Sequence, residues 1–244
     1  MSTLSASELL TAWERGLGQR LMDRALTLLA ATDPQTPREA LAKLSIGRRD
    51  AGLLSLREEI FGPRLTGLAD CPHCRERLVL SFRAADLRNS SEPTACEVLS
   101  VRVDDWDVRF RLPNSDDLLA ISECRDSDTG RALLLQRCIL GIEENNEVRA
   151  INDVPVHVIE AAVQKMGETD TLGDVHLALT CPLCGHEWQA PFDIASFLWI
   201  EINAWAHRTL QDVDELARAY GWREADILAL SPLRRQVYLE FISQ

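Results

Sequence analysis

The first seventy residues carry apolar side chains at helical spacing. Ser5 and Glu8 form a capping box, in which each side chain satisfies a backbone amide at a helix start. The apolar stripe predicts two helices that are separated near Gly18, and a later helix over 48–61 that ends at Gly62. The stripe consists of Leu9, Leu10, Trp13 and Leu17, and then Leu21, Met22, Ala25, Leu26 and Leu29.

In the middle of the chain the spacing becomes mixed. Alternating apolar and polar positions predict strands over 98–103 and 108–112, with the aspartates at 104–105 as their turn. Asn114 is placed to cap a short helix, and a further helix is predicted over 129–140. One more helical face is formed by Ile159, Ala162, Val163 and Met166.

The last seventy residues predict a hairpin followed by helices. Strands are expected over 175–179 and 188–192, after which Asp193 can cap a helix that is apolar nearly all round. Two further helices are predicted over 213–220 and 231–242. Because Trp199, Trp205 and Trp222 fall in this region, they belong either to the core or to a partner-binding surface.

Two segments of the chain resemble each other. Each contains a Cys-Pro-x-Cys turn between two predicted strands, followed by three residues at equal offsets of eleven, fourteen and sixteen positions from the first cysteine. These residues are Phe82, Ala85 and Leu87 in the first copy, and Phe192, Ala195 and Phe197 in the second. The likeness indicates either an ancestral duplication or two knuckles that face one metal ion.

The paired cysteines predict a structural zinc site. A Cys-Pro-x-Cys turn supplies two sulfur ligands, whereas tetrahedral zinc needs four, so two such turns complete one site. Gly185 follows the second turn and suits a left-handed backbone, but its equivalent in the first turn is Arg75. Binding a metal here would stabilise the fold, because the site cannot preform in the unfolded chain. The predicted ligands are Cys71, Cys74, Cys181 and Cys184.

Other interpretations of the cysteines remain open. The four thiols could form a lost metal site, or they could form disulfides or a redox centre. His73 and His186 could replace a sulfur, although each is also explained as a solvated surface residue. The remaining cysteines have no ligand spacing and are interpreted as small buried hydrophobes. They are Cys96, Cys124 and Cys138.

Composition narrows the functional classes. The formal net charge of −12 disfavours binding to nucleic acid, because an acidic surface repels phosphate. The N-terminus lacks the pattern of a signal peptide, and no segment is apolar enough for a membrane span, so we expect a cytoplasmic protein without membrane partners. No phosphate loop, dinucleotide fingerprint or nucleophile elbow occurs, so we expect no enzymatic activity.

The C-terminal part of the chain contains distinctive motifs, which are residues 181–186, 191–194, 216–222 and 230–235, together with Tyr238. With these motifs the chain resembles the baseplate hub assembly chaperones of T-even-type contractile-tail phages, which have relatives in extracellular contractile injection systems. The resemblance implies a non-enzymatic assembly factor or baseplate component whose partners are baseplate, hub or spike proteins. The alternative is a zinc-ribbon regulatory protein acting on nucleic acid or transcription machinery.

The predicted fold class is helix-rich α+β, with a split zinc ribbon, an inserted strand-helix subdomain and flanking helices. We predict an N-terminal helical region over 1–66 and a first zinc knuckle over 67–90. The inserted α+β subdomain is predicted over 91–168, after the polar stretch 89–93. The second knuckle and the C-terminal helical tail are predicted over 169–244.

Overall fold

A computed structural model of the chain describes residues 4–88 and 98–242. The predicted polar stretch 89–93 and Cys96 lie outside the described residues. The chain divides into two compact units, of which the first comprises Met1–Thr36 and Ile194–Gln244 and the second comprises Pro37–Asp193. The four regions predicted from the sequence stay a prediction.

The first unit is helical. It contains α1 (Ala6–Gly16), α2 (Leu21–Thr32), α9 (Ile194–Tyr220), α10 (Glu224–Leu228) and α11 (Pro232–Ile242). The capping box predicted at Ser5 and Glu8 is present at the start of α1. Trp13 on α1 donates its indole N–H to Asn203 Oδ1 on α9 at 3.0 Å, which joins two helices that are far apart in sequence.

Helix α9 is longer than the sequence predicts, and the separate helix predicted over 213–220 is wrong. Residues 213–220 do not form a separate helix, because α9 runs without a break for 27 residues. Its buried positions continue through Thr209 and Val213 to Leu216, so one face of the helix stays packed over its whole length. Leu216 packs with Ile227 of α10, a helix that the sequence analysis did not predict. Trp199 is buried, whereas Trp205 and Trp222 are half-buried.

The second unit is mixed. Its helices are α3 (Arg38–Ala42), α4 (Ile46–Phe61), α5 (Ala84–Leu87), α6 (Ser115–Ile121), α7 (Ser127–Cys138) and α8 (Val156–Thr169), with a 3-10 turn at Ile151–Asp153. Its strands are β1 (Arg64–Asp70), β2 (Arg77–Arg83), β3 (Leu99–Val103), β4 (Trp106–Phe110), β5 (Ile139–Glu144), β6 (Glu147–Val148), β7 (Val175–Thr180) and β8 (Glu187–Phe192).

These strands form one antiparallel sheet in the order β3-β4-β5-β6 and two separate hairpins, β1-β2 and β7-β8. The four-stranded sheet packs against α8 around a core that includes Val108, Phe110 and Val158. The expected helix-rich α+β class is therefore confirmed. Within the described residues, no helix is both long enough and apolar enough to cross a lipid bilayer.

One helix boundary was predicted wrongly in this unit. The helix predicted over 129–140 ends at Cys138, and β5 begins at the next residue. Cys138 and Ile142 are buried in the sheet core, so the chain gains more apolar burial as a strand than as a longer helix. By contrast, the turn predicted at 104–105 and the Asn114 cap are present.

Candidate metal centre

Two hairpins present the four paired cysteines. Strands β1 and β2 flank the first Cys-Pro-x-Cys turn, and β7 and β8 flank the second. Within each turn the first cysteine accepts a hydrogen bond through its carbonyl oxygen, from Arg75 N at 2.8 Å or from Gly185 N at 2.9 Å. The same bond in both turns shows that the repeat seen in the sequence is also a repeat of backbone geometry.

Arg75 adopts the conformation that glycine was expected to provide. Its φ is 63°, close to the 71° of Gly185. A left-handed backbone is unfavourable for residues with a Cβ atom, so Arg75 carries a local strain that Gly185 avoids. The replacement of glycine by arginine in the first copy therefore leaves the turn geometry unchanged.

The four sulfur atoms converge on one point between the hairpins. All of them lie within 4.8 Å of one another. Cys71 Sγ lies 3.7 Å from Cys184 Sγ, and Cys74 Sγ lies 3.6 Å from Cys181 Sγ. Both distances exceed the roughly 2.05 Å of a disulfide bond, and all four thiols are free.

This geometry fits a tetrahedral metal ion. With four Zn–S bonds of about 2.3 Å, a tetrahedron has sulfur–sulfur edges of about 3.8 Å. The two cross-hairpin distances of 3.7 and 3.6 Å match that edge length. The chemistry of the donors agrees, because thiolates are preferred zinc ligands and four of them complete its shell. Cys71, Cys74, Cys181 and Cys184 could thus hold one zinc ion.

The turns shape the ionisation of the thiols. Burial raises the pKa of Cys71, but the backbone N–H groups of Cys74 and His73 and the neighbouring thiols outweigh burial and lower it to about 7. For Cys74, the N–H of Glu76 lowers the pKa, whereas burial and the adjacent sulfurs raise it to about 12. Once one thiol is ionised, its negative charge disfavours a second thiolate beside it, because like charges repel.

The two histidines near the cysteines lie outside the sulfur group. His73 and His186 stack on each other, with ring centroids 5.6 Å apart, and His186 also stacks on Trp188 at 6.0 Å. Within the described residues, the group of possible metal ligands consists of the four cysteines alone. Of the other described cysteines, Cys138 is buried as expected and Cys124 is half-buried.

A different set of residues was missed by the sequence analysis. Asp117 is fully buried and receives hydrogen bonds from Arg111 Nη2 at 2.8 Å and from Arg137 Nε at 2.7 Å. Burial raises the pKa of Asp117, but these two arginines and the N–H of Asn114 lower it below its usual value. The one sequence signal that could have indicated a buried, hydrogen-bonded Asp117 is the capping pattern that it forms with Asn114.

Together these features define a helix-rich α+β protein in which two similar hairpins bring four cysteines to one candidate metal site. A family model described as T4 bacteriophage base plate protein matches residues 9–199. The chain belongs to this family of phage baseplate proteins. No curated protein and no solved structure matches the chain.

The matched range contains both cysteine turns and the four-stranded sheet. It ends within α9, so the motifs at 216–222 and 230–235, which contribute to the sequence resemblance, lie outside it. The relation to baseplate proteins is therefore shown over most of the chain, independently of those motifs.

Proposed function

We propose that this chain is a non-enzymatic assembly factor or component of the baseplate of a phage-tail-like contractile injection system, acting in the cytoplasm of the producing cell. The observation that carries the proposal is the family match over residues 9–199, which spans both cysteine turns. The likeness to hub assembly chaperones in the C-terminal motifs supports the assembly role.

Structural zinc is the second part of the proposal. The four cysteines would bind the ion and join two hairpins whose turns are 110 residues apart in sequence. Four thiolates close the coordination shell and leave no position for water or substrate, which fits a structural role and not a catalytic one. When bound, the ion would supply folding free energy and charge compensation for the thiolates.

Baseplate, hub or spike proteins are the proposed partners. The C-terminal helix α11 supports a role in protein contact, because it exposes apolar side chains at four-residue spacing. Leu233 and Phe241 are 77% and 59% exposed, and Val237 lies between them. Residues at this spacing share one helix face, and large apolar side chains are typical anchors at protein interfaces.

The proposal is tested by deleting the gene in a strain that produces the particles. We expect particles with missing or defective baseplates, and restoration by the wild-type gene supplied in trans. Mass spectrometry of purified particles then separates the two roles, since a component stays in the particle and a chaperone leaves it. Normal particles in the deletion strain, together with no co-purification of any baseplate protein, would refute the proposal.

The alternative role as a zinc-ribbon regulator is not favoured. The net charge of −12 opposes association with nucleic acid, and the family match points to baseplates. A gel shift at physiological ionic strength that weakens with added salt would revive this alternative.

A further inference from the structure

A groove lies between the two cysteine-bearing hairpins, on the side of β2 and β7. Its volume is about 590 Å³. Residues 80–82 of β2 and 175–179 of β7 line it as consecutive runs. Since successive side chains of a strand point to opposite faces, a strand contributes consecutive residues to a groove where its edge borders that groove. The groove therefore runs along the edges of β2 and β7.

The hydrogen-bond register shows which backbone groups lie on the β7 edge. Cys181 N donates to His186 O at 2.9 Å, so these two residues form a hydrogen-bonded pair. Such pairs alternate along antiparallel strands, so Ala178 and His176 direct their N–H and C=O groups away from β8. Pro191, the partner of His176, has no N–H, which agrees with this alternation.

Strand β2 also directs backbone groups toward the groove. Cys71 N donates to Glu76 O at 2.9 Å, which places the N–H and C=O of Ser81 on the edge away from β1. Within residues 4–88 and 98–242, β2 pairs with β1 alone and β7 pairs with β8 alone. The groove is thus bordered by backbone donors and acceptors that no neighbouring strand uses.

These two edges are suited to close approach by another backbone. Ser81 and Ala178 are small, so they leave room for an added strand. The outer edge of β8 carries Pro191, and a proline at an edge blocks strand addition there. In this hairpin, therefore, the edge of β7 can accept an added strand, whereas the edge of β8 cannot.

The remaining lining specifies the side chains of a ligand. Leu80, Phe82, Leu177 and Leu179 offer apolar surface, each only half-buried. Asp86 and Asp174 also line the groove, and both are exposed. Asp86 Oδ2 accepts a hydrogen bond from Arg83 N at 2.8 Å, and Asp174 Oδ1 lies 3.5 Å from Nδ1 of His176, the one basic side chain of the lining. An extended segment that alternates apolar and polar residues and carries a basic side chain complements both features.

We propose that the edge of β7, at His176 and Ala178, accepts an extended segment of a baseplate partner as an additional strand, with a basic side chain of that segment facing Asp86 and Asp174. The five residues 175–179 offer about 17 Å of edge, the length of an ordinary strand. This inference rests on the proposed baseplate function and adds the site and the chemistry of the partner.

The test compares two proline variants of the same hairpin. Ala178→Pro removes an outward N–H on the groove edge, whereas Gln189→Pro removes its counterpart on the opposite edge, since these residues are register partners in a non-hydrogen-bonded pair. Full-length variants are co-expressed pairwise with each baseplate protein of the strain that produces the particles, and affinity is measured on the purified pairs. We expect Ala178→Pro to weaken binding of one partner at least about tenfold and Gln189→Pro to leave it unchanged.

A second measurement needs no variant. Hydrogen exchange of the wild-type complex should show slowed exchange at the amides of His176 and Ala178 relative to the free protein.

Asp174→Asn should weaken binding several-fold, whereas Asp105→Asn, which makes the same charge change at an exposed turn, should not.

The outcomes separate this inference from the proposed function. If a baseplate protein binds both proline variants equally and the two amides stay unprotected, the edge is not the site, while the baseplate role stands. If wild type binds no baseplate protein, the edge has no such partner and this inference fails, and the baseplate role fails with it when the deletion strain also makes normal particles. If wild type self-associates and Ala178→Pro is monomeric, the edge accepts a second copy of this chain, which overturns its assignment to a baseplate partner.

Discussion

The carboxylate of Asp170 caps the first turn of α4, where its Oδ2 lies 2.9 Å from the backbone nitrogen of Gly47. Its Oδ1 accepts a hydrogen bond from the hydroxyl of Ser45 at 3.1 Å. A negative charge is favourable at a helix N-terminus, where backbone N–H groups have no partner within the helix. The contact joins the segment before β7 to a helix 123 residues earlier in the chain.

Gly47→Ala should disrupt this contact. An added Cβ would overlap with Asp170 Oδ1, so the carboxylate must move away from the helix. We expect a loss of about 2 kcal/mol in the free energy of unfolding, measured by chemical denaturation. Gly167→Ala on α8 is the matched control, because nothing lies within 4 Å of its added Cβ. It should be neutral or stabilise by up to about 1 kcal/mol. Equal effects of the two substitutions would contradict the role of Asp170.

Replacing one of the four clustered cysteines should abolish metal binding. We expect about one zinc ion per wild-type chain and almost none in Cys74→Ser, since three thiolates hold zinc much more weakly than four. Elemental analysis of protein purified under reducing conditions measures the metal content, and thermal denaturation with and without a chelator measures its contribution to stability. Cys124→Ser should behave as wild type, because Cys124 lies outside the sulfur group. A wild-type protein that binds no metal would refute the zinc proposal.

The two cysteine turns should respond differently when the residue with positive φ is substituted. Gly185→Ala forces a Cβ into a conformation with φ of 71° and should destabilise the protein by about 1 kcal/mol. Arg75→Gly relieves the strain at φ of 63°, but glycine also increases the conformational entropy of the unfolded chain. Because the two effects oppose each other, the free energy of unfolding should stay unchanged or rise slightly. Denaturation of the zinc-loaded protein checks both. Destabilisation by Arg75→Gly to the same extent as by Gly185→Ala would show that the arginine side chain stabilises its turn.

Asp117→Asn should lower the free energy of unfolding by about 2 kcal/mol at neutral pH, because it removes the buried counter-charge of Arg111 and Arg137, whose own side chains are partly solvated. The exposed neighbour provides a control, since Asp116→Asn should change stability by less than about 1 kcal/mol.

The effect of Asp117 should depend on pH. Its pKa in the folded protein is lowered from 3.8, so its stabilisation is fully present above that value and is lost as the pH falls through the folded pKa. Denaturation curves of wild type and Asp117→Asn should therefore converge at acidic pH. A difference that stays constant below pH 3.8 would contradict the ion-pair explanation.

The sequence by itself determined the local features of this protein. The capping box at Ser5, the cap at Asn114 and the hairpin strands around each cysteine turn follow from residues a few positions apart, so their signals are complete within a short window. The convergence of the four cysteines was also predictable, because a turn with two sulfurs needs a second such turn to complete a tetrahedral site.

Only the tertiary structure decided the features that depend on distant partners. The uninterrupted α9, the start of β5 directly after Cys138 and the contact of Asp170 with Gly47 all arise where packing outweighs local preference. The edges of β2 and β7 that no strand of the described residues pairs with likewise follow from the strand pairing in three dimensions. Such choices depend on free energy gained between residues far apart in sequence, which no local pattern records.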